Sequence, residues 1–459
     1  MDNAKRLGEE KIGTLLWKFS IPAIIGMLVN ALYNVVDRIF IGQTEGSIAI
    51  AGLTITFPVM IIILAFAMLV GIGGAARISI NLGKKQKEEA EKVMGNALIL
   101  MVGIGLMLTV LGLLLLTPIL TLFNASDLVR PYARAYLSII LFGSVFQMVS
   151  FGINRFIGAE GNAVMAMMTM LIGAIVNIIL DAIFIMGMGM GVQGAALGTI
   201  IAQLIASIWV LAYFLRGKSL LKFRKKNLRL ENRVVMDIFS IGSAPFAMQI
   251  ASCCILFLFN RAFMMYGGDI GVSAFGIIYS FVLLILMPVF GINQGCQPII
   301  GYNYGAKQYD RIKQTLVLAG ASATFIVLIG FVLSQYAPEF VISVFNANDG
   351  ELIEVGSKGI KVFLTMFPVV GVQIICSNYF QAVGKPKKAM FLSLTRQVIF
   401  LIPLILLLPL RYGLLGVWLA APVSDFFSFI VGATAIFREM KSFDSHPIKK
   451  STPDLLKDN

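Results

Sequence analysis

The chain has 459 residues, of which 58% are apolar and 13% charged. A soluble protein carries about 25% charge, and disorder needs low hydrophobicity. A mean hydropathy of +0.87 excludes both and leaves a polytopic membrane protein, in which a net charge of +13 reports loops rather than nucleic acid.

In chain order, the polar start MDNAKRLGEEKIG shows no cleavable signal pattern. Stretches long and apolar enough to span a bilayer follow at about 12–42, 47–80, 91–118, 128–158, 162–187, 191–216, 233–266, 269–304, 310–336, 351–382, 386–410 and 413–440. That is about twelve transmembrane helices. The apolar runs are continuous and do not alternate, which excludes a β-barrel. Cys253, Cys254, Cys296 and Cys376 lie inside these runs without metal-ligand spacing and read as buried small residues. The single histidine, His446, sits in the polar tail. No Walker motif, metal cluster or nucleophile–base pair appears, so neither an enzyme nor an ATP-driven pump is expected.

Loop charges set the orientation. The odd-numbered gaps and their flanks hold Arg130, Arg134, Lys358, Lys361 and Arg411, while the even gaps and the termini hold nearly all other bases. The 6–7 linker alone carries Arg216, Lys218, Lys222, Arg224, Lys225, Lys226, Arg229 and Arg233. The positive-inside rule then puts both termini and this linker in the cytoplasm, in a multi-pass plasma (inner) membrane protein.

The chain also repeats. Gly73–Gln86 (GGAARISINLGKKQ) and Gly295–Gln308 (GCQPIIGYNYGAKQ) match at an offset of 222, as do FNASD at 123–127 and FNAND at 345–349. Six spans per unit give both halves the same orientation, a parallel repeat about an axis along the membrane normal. The expected fold is all-α, with two pseudo-symmetric six-helix bundles. The first bundle covers 1–216, a basic linker 217–232, the second bundle 233–440 and a tail 441–459.

Charged groups inside spans cost about 2.5–3.5 kcal/mol each at a helix centre, so they point to function. Span 1 places Asn30, Tyr33, Asn34 and Asp37 on one helix face, and span 5 places Asn177 and Asp181 one turn apart. Span 6 adds Thr199. At 1.5 Å per residue Asp37, Asp181, Thr199 and Asn177 lie ~7–15 Å below the outer end. Two carboxylates with neutral oxygens suit a proton or a hard monovalent cation such as Na⁺; near-interface hydrogen bonding is the other reading of the two acids. In the second half Asn260 stands opposite Asp37, and Pro403 opposite Asp181, so no equivalent site is expected there. Arg396 and Asp425 fall near mid-membrane, as a structural ion pair or as a participant in substrate or proton movement. Gln249, Gln294 and Gln373 are candidates for a central polar cavity.

These residues resemble the multidrug and toxic compound extrusion family. The resemblance rests on FSIPAIIGMLVNALYNVVDRIFIG in span 1, on AEGN followed by NIILDAIFIMGMGMGVQGAALGT across spans 5 and 6, and on the paired segments after spans 2 and 8. It implies a V-shaped pair of six-helix bundles and antiport of a substrate against Na⁺ or H⁺. The family's cation ligands fall on Asp37, Asn177, Asp181 and Thr199, with a backbone carbonyl near Ala195 added. Where some branches carry a further acid on helix 7 or 8, this chain has Gln249 and Asn293-Gln294. The expected function is export of bulky amphipathic or cationic compounds by a monomer in the lipid bilayer, without cofactor or nucleic acid. The alternative is a lipid or lipid-linked oligosaccharide flippase of the same superfamily.

Overall fold

A computed structural model describes residues 3–123, 127–216, 219–344 and 349–444, apart from some side chains within 3–5, 30–51 and 442–444. His446, most of the two FNA(S/N)D segments and the side chains of Asn30, Asn34 and Arg38 lie outside the described residues. A bilayer offers no hydrogen-bond partners to the backbone, so a spanning chain must pair its own amides and carbonyls. Helices result: α1 (Asn3–Glu9), α2 (Ile12–Gly83), α3 (Lys87–Leu114), α4 (Leu116–Leu122), α5 (Arg130–Ala159), α6 (Ala163–Asp181), α7 (Gly191–Leu215), α8 (Asn232–Gly305), α9 (Tyr309–Tyr336), α10 (Pro338–Ser343), α11 (Gly350–Phe363), α12 (Phe367–Ala382), α13 (Pro386–Leu394) and α14 (Ile402–Asp444). Wider π-helical turns follow α6 at Ala182–Gly187 and α13 at Thr395–Leu401.

Three of these helices are too long to be single spans. Straight, α2 would be roughly 108 Å long at 1.5 Å per residue. Yet Ser20 near its start packs on Gly295, and Ile80 near its end packs on Gly305. Gly295 and Gly305 lie only about 15 Å apart along α8, so α2 doubles back into two legs, Ile12–Val29 and Ile48–Gly83. By the same logic α8 folds at Gly268 (φ 59°, ψ −158°), and α14 turns at Gly413 (φ 55°, ψ −136°). That backbone region is essentially closed to residues with a Cβ. The α11–α12 pair forms one span bent by 51°, with Pro368 in the first turn of α12. Counted with both turns and the bend, the described residues make twelve spans.

The repeat is visible in backbone detail. Lys85 and Lys307, 222 residues apart, are the two non-glycine residues with positive φ among those described (61° and 58°). Each is followed by the same reach-back bond, Gln86 N–H to the Asn81 carbonyl at 2.9 Å and Gln308 N–H to that of Asn303 at 2.8 Å. Gly191 and Gly413 also share the offset and a positive φ (53° and 55°).

Two apolar cores form. One runs from Ile41 to Ile238; the other holds residues 244–421 together with Leu7, Ile12, Leu15, Leu16 and Phe19. The first turns of the chain therefore pack into the core of the second half. Much of the remaining apolar surface faces outward, with Leu122, Val317 and Leu410 each more than 70% exposed, as lipid contact requires. Cys296 and Cys376 are buried as expected, but Cys254 is exposed and Cys253 partly so. A cysteine on a lipid-bordering helix face needs no burial in protein to stay in an apolar medium.

The halves meet at the end carrying the Lys-rich connections, called here the basic end. Gly73 approaches the Ile238 carbonyl, Gly242 the Leu69 carbonyl and Gly83 the Tyr302 carbonyl so closely that a Cβ at any of the three would collide with backbone. Arg77 pairs with Asp237 across the seam at 2.8 Å. Asn303 and Arg311 donate to the Leu7 carbonyl at 2.9 and 3.1 Å, and Arg311 also to that of Glu10 at 2.7 Å. The linker is docked as well: Arg224 pairs with the buried Glu91 of α3 at 2.6 Å.

Candidate functional site

The site is built on three elements of the first half: the first leg of α2, the end of α6 and the start of α7. The i, i+4 spacing puts Asn177 and Asp181 on one face of α6. Asn177 is 2% exposed and Asp181 fully buried, with Asp37 and Thr199 at 7% each. Asn177 Nδ2 donates to Asp181 Oδ1 and to Thr199 Oγ1, both at 3.4 Å. Asp37 lies near enough for its charge to repel that of Asp181. Ala195 is buried one turn before Thr199.

Two features of α7 bring it close. Gly191, in the left-handed conformation, starts the helix beneath Glu45, whose Oε2 accepts from the Val192 N–H at 3.3 Å. A carboxylate at a helix N-terminus faces its positive dipole end. Gly198 faces Asp181 so closely that a Cβ there would stand 2.3 Å from Oδ1. The carboxylate occupies the space left by the missing side chain.

Asp181 Oδ2 and Asn177 Oδ1 are buried without a hydrogen-bond partner. Buried polar atoms are normally satisfied, and two carboxylates in one dry place repel unless positive charge lies between them. The donor set is all oxygen, which fits a proton or a hard cation such as Na⁺. No group of three or more His, Cys, Asp or Glu side chains with metal-site geometry occurs among the described residues.

The second half is built differently. Asn260 is exposed, and Gln249 half-buried. Arg396 Nε donates to Asp425 Oδ1 at 2.6 Å, and the Arg396 carbonyl accepts from Ser424 Oγ at 2.7 Å. This pair sits beside the π-helical turn, where Gln397 Nε2 donates to Ser252 Oγ at 2.9 Å. Gln373 is buried, and its Oε1 is unpartnered. Gln294 does not join these groups; it lies at the seam between the halves. Tyr33 is half-buried on the first leg of α2. Sequence reasoning missed Gly198, Glu45, the Arg77–Asp237 pair and Arg155. No local signal separates Gly198 from the other glycines of GVQGAALGT, and Arg155 reads as a loop base because it stands four residues from the end of α5.

Comparison with known proteins bears on the family and the fold. The MatE family model matches residues 22–183 and again 245–407, one match per half. The multidrug export protein MepA of Staphylococcus haemolyticus is 27% identical over 409 residues, covering 89% of this chain and 90% of its own. The solved structure of the MATE multidrug transporter DinF-BH in complex with R6G is 42% identical, with a TM-score of 0.89 over 95% of this chain and 98% of that one. A MATE family transporter of the MOP superfamily in an outward-facing conformation shares the fold at a TM-score of 0.88 and 24% identity, covering 95% and 98%. The chain belongs to the MatE family of multidrug efflux transporters, which are not enzymes.

Proposed function

We propose that this transporter exports bulky amphipathic or cationic compounds in exchange for H⁺ or Na⁺, which binds at Asp37, Asn177, Asp181 and Thr199, with Ala195 supplying a carbonyl. The observation that carries this reading is the buried Asp37–Asp181 pair with the unpartnered oxygens Asp181 Oδ2 and Asn177 Oδ1. The positive-inside rule makes the basic end cytoplasmic, in the plasma (inner) membrane. Closure at that end then corresponds to an outward-open state. The moving units are the bundles 1–216 and 233–440, joined by the linker 217–232, with the tail 441–459 in the cytoplasm and the monomer as functional unit. The relative solved with R6G bound supports a small-molecule drug as cargo.

In the cycle, substrate leaves the outward-open cleft and a cation enters from outside. Its single charge cancels one of the two carboxylate charges, relieves their repulsion and lets the first leg of α2 settle against α6 and α7. That shift loosens the seam at the basic end and favours inward opening. One charge moving through 100 mV supplies about 2.3 kcal/mol and tenfold accumulation costs about 1.4 kcal/mol, so one net charge sustains roughly a fiftyfold gradient. The test is dye efflux from proteoliposomes under an imposed Na⁺ or H⁺ gradient, one at a time. Only one gradient should drive wild-type protein, and Asp37→Asn and Asp181→Asn should abolish the response. Wild-type rates in both variants refute the site.

A further inference from the structure

A second polar site lies at the seam, away from the carboxylates. A half-open cavity there is lined by Asn154, Arg155 and Ser79 of the first half and by Gln294, Gln297 and Pro298 of the second. It leaves ≈ 40 Å³ for the centres of water-sized atoms, where one water needs about 10–15 Å³ on the same measure. The space suits a halide-sized anion with a water or two.

Its chemistry is positive and unsatisfied. Arg155 stands in α5 four residues before Ala159, ~6 Å inside the end of the helix. Among the described residues it meets no carboxylate within ion-pair distance. Its guanidinium lies 4.6 Å from the Phe151 ring, and its Nε has no hydrogen-bond partner. The nearest acid in sequence, Glu160, is engaged elsewhere, by Tyr213 and by Ser219 at 2.5 Å. Asn154 is 4% exposed, and its Oδ1, Gln294 Oε1 and Gln297 Nε2 are buried without partners. A half-turn of an amide exchanges its donor and acceptor ends, so each of these three cavity-lining amides can present an N–H group. Arg155 is half-buried with its Nε shut off from solvent; a cation so placed with no counter-charge is costly, and three idle amides beside it add to that cost. An anion removes both penalties at once.

We propose that a small inorganic anion, chloride under ordinary conditions, binds between the halves at Arg155, Asn154, Gln294 and Gln297 and holds the basic end closed. This goes beyond the cation site, to which it contributes no residue. Because the ligands come from both halves, the anion binds the closed seam more tightly than the open one and shifts the population toward closure. At the 222 offset the second half has Cys376 and Ser377 in place of Asn154 and Arg155, so the repeat does not duplicate the site.

The test is thermal unfolding of the purified full chain in chloride or gluconate at constant ionic strength and constant Na⁺. Wild-type protein should show a saturable rise in Tm with chloride. Arg155→Gln should shift that titration about tenfold or more toward higher chloride. Asp181→Asn should leave it in place, which separates this site from the cation site. Equal Tm in both salts, or a wild-type titration in Arg155→Gln, overturns the proposal. Should Arg155→Gln fail to fold, Gln297→Leu and a crystal grown in bromide replace it. A several-fold shift and an anomalous peak beside the guanidinium support the site; an unshifted titration or no peak overturns it.

Discussion

Gly198 is where tertiary structure makes the strongest demand on a single atom. Alanine there would place a Cβ 2.3 Å from Asp181 Oδ1, and real Cβ contacts essentially never fall below 3.0 Å. Asp181 is fully buried, so its carboxylate must retreat by the difference, into packed protein and out of its position in the site. A cation that loses one charged ligand loses about 1.5–3 kcal/mol, a weakening of about ten- to a hundredfold. Alanine is also the better helix former by up to about 1 kcal/mol, which offsets part of the roughly 1–3 kcal/mol cost of overpacking, so Tm should fall modestly while affinity falls about tenfold or more. Isothermal titration with the coupling cation, followed by dye efflux at saturating and limiting cation, reads both effects. Gly103→Ala is the control, since a Cβ there meets nothing within 4 Å. Wild-type cation affinity and efflux in Gly198→Ala would refute the claim that this glycine shapes the site.

Three further substitutions probe other parts of the molecule. Arg396→Gln leaves Asp425 buried without its partner and should destabilise by about 3–5 kcal/mol in a detergent melt, whereas Arg396→Met with Asp425→Leu should stay near wild type; efflux by the double variant separates a structural pair from a functional one. The Arg77–Asp237 pair is about a third exposed on each side, so Arg77→Gln should cost the closed seam no more than about 1 kcal/mol, a change of about fivefold or less in the closed population. Spin-label distances across the basic end check this, and exchanging the two charges should restore closure. Burial at the end of α5, outside the span, raises the Glu160 carboxyl above its ordinary value, while bonds from Ser219 and Tyr213 partly oppose that shift. A raised carboxyl contributes stability that is present below its ordinary value of 4.5 and is lost as pH rises through the folded value. Wild-type Tm should therefore fall with pH over that window, and Glu160→Gln should flatten the slope.

Much of this protein follows from one-dimensional facts. The scarcity of charge dictates helices in a membrane, because only self-paired backbone survives there. The 222 offset dictates two like halves, and the structure repeats it down to the left-handed Lys85 and Lys307. Asn177 and Asp181 were legible because helical spacing alone puts them on one face and hydrocarbon makes them costly. Which groups meet across helices was not legible. That Gly198 yields its space to Asp181, that Glu45 caps α7, that residues 7–19 pack in the second core and that Arg155 faces two glutamines of the other half are matters of close packing between distant segments. Periodicity along a helix fixes which way a side chain points and says nothing about what stands opposite. Composition and period thus determined the class, the count of spans and the acids worth asking about. Only the packing of one helix on another decided where their charges are met and where the halves hold together.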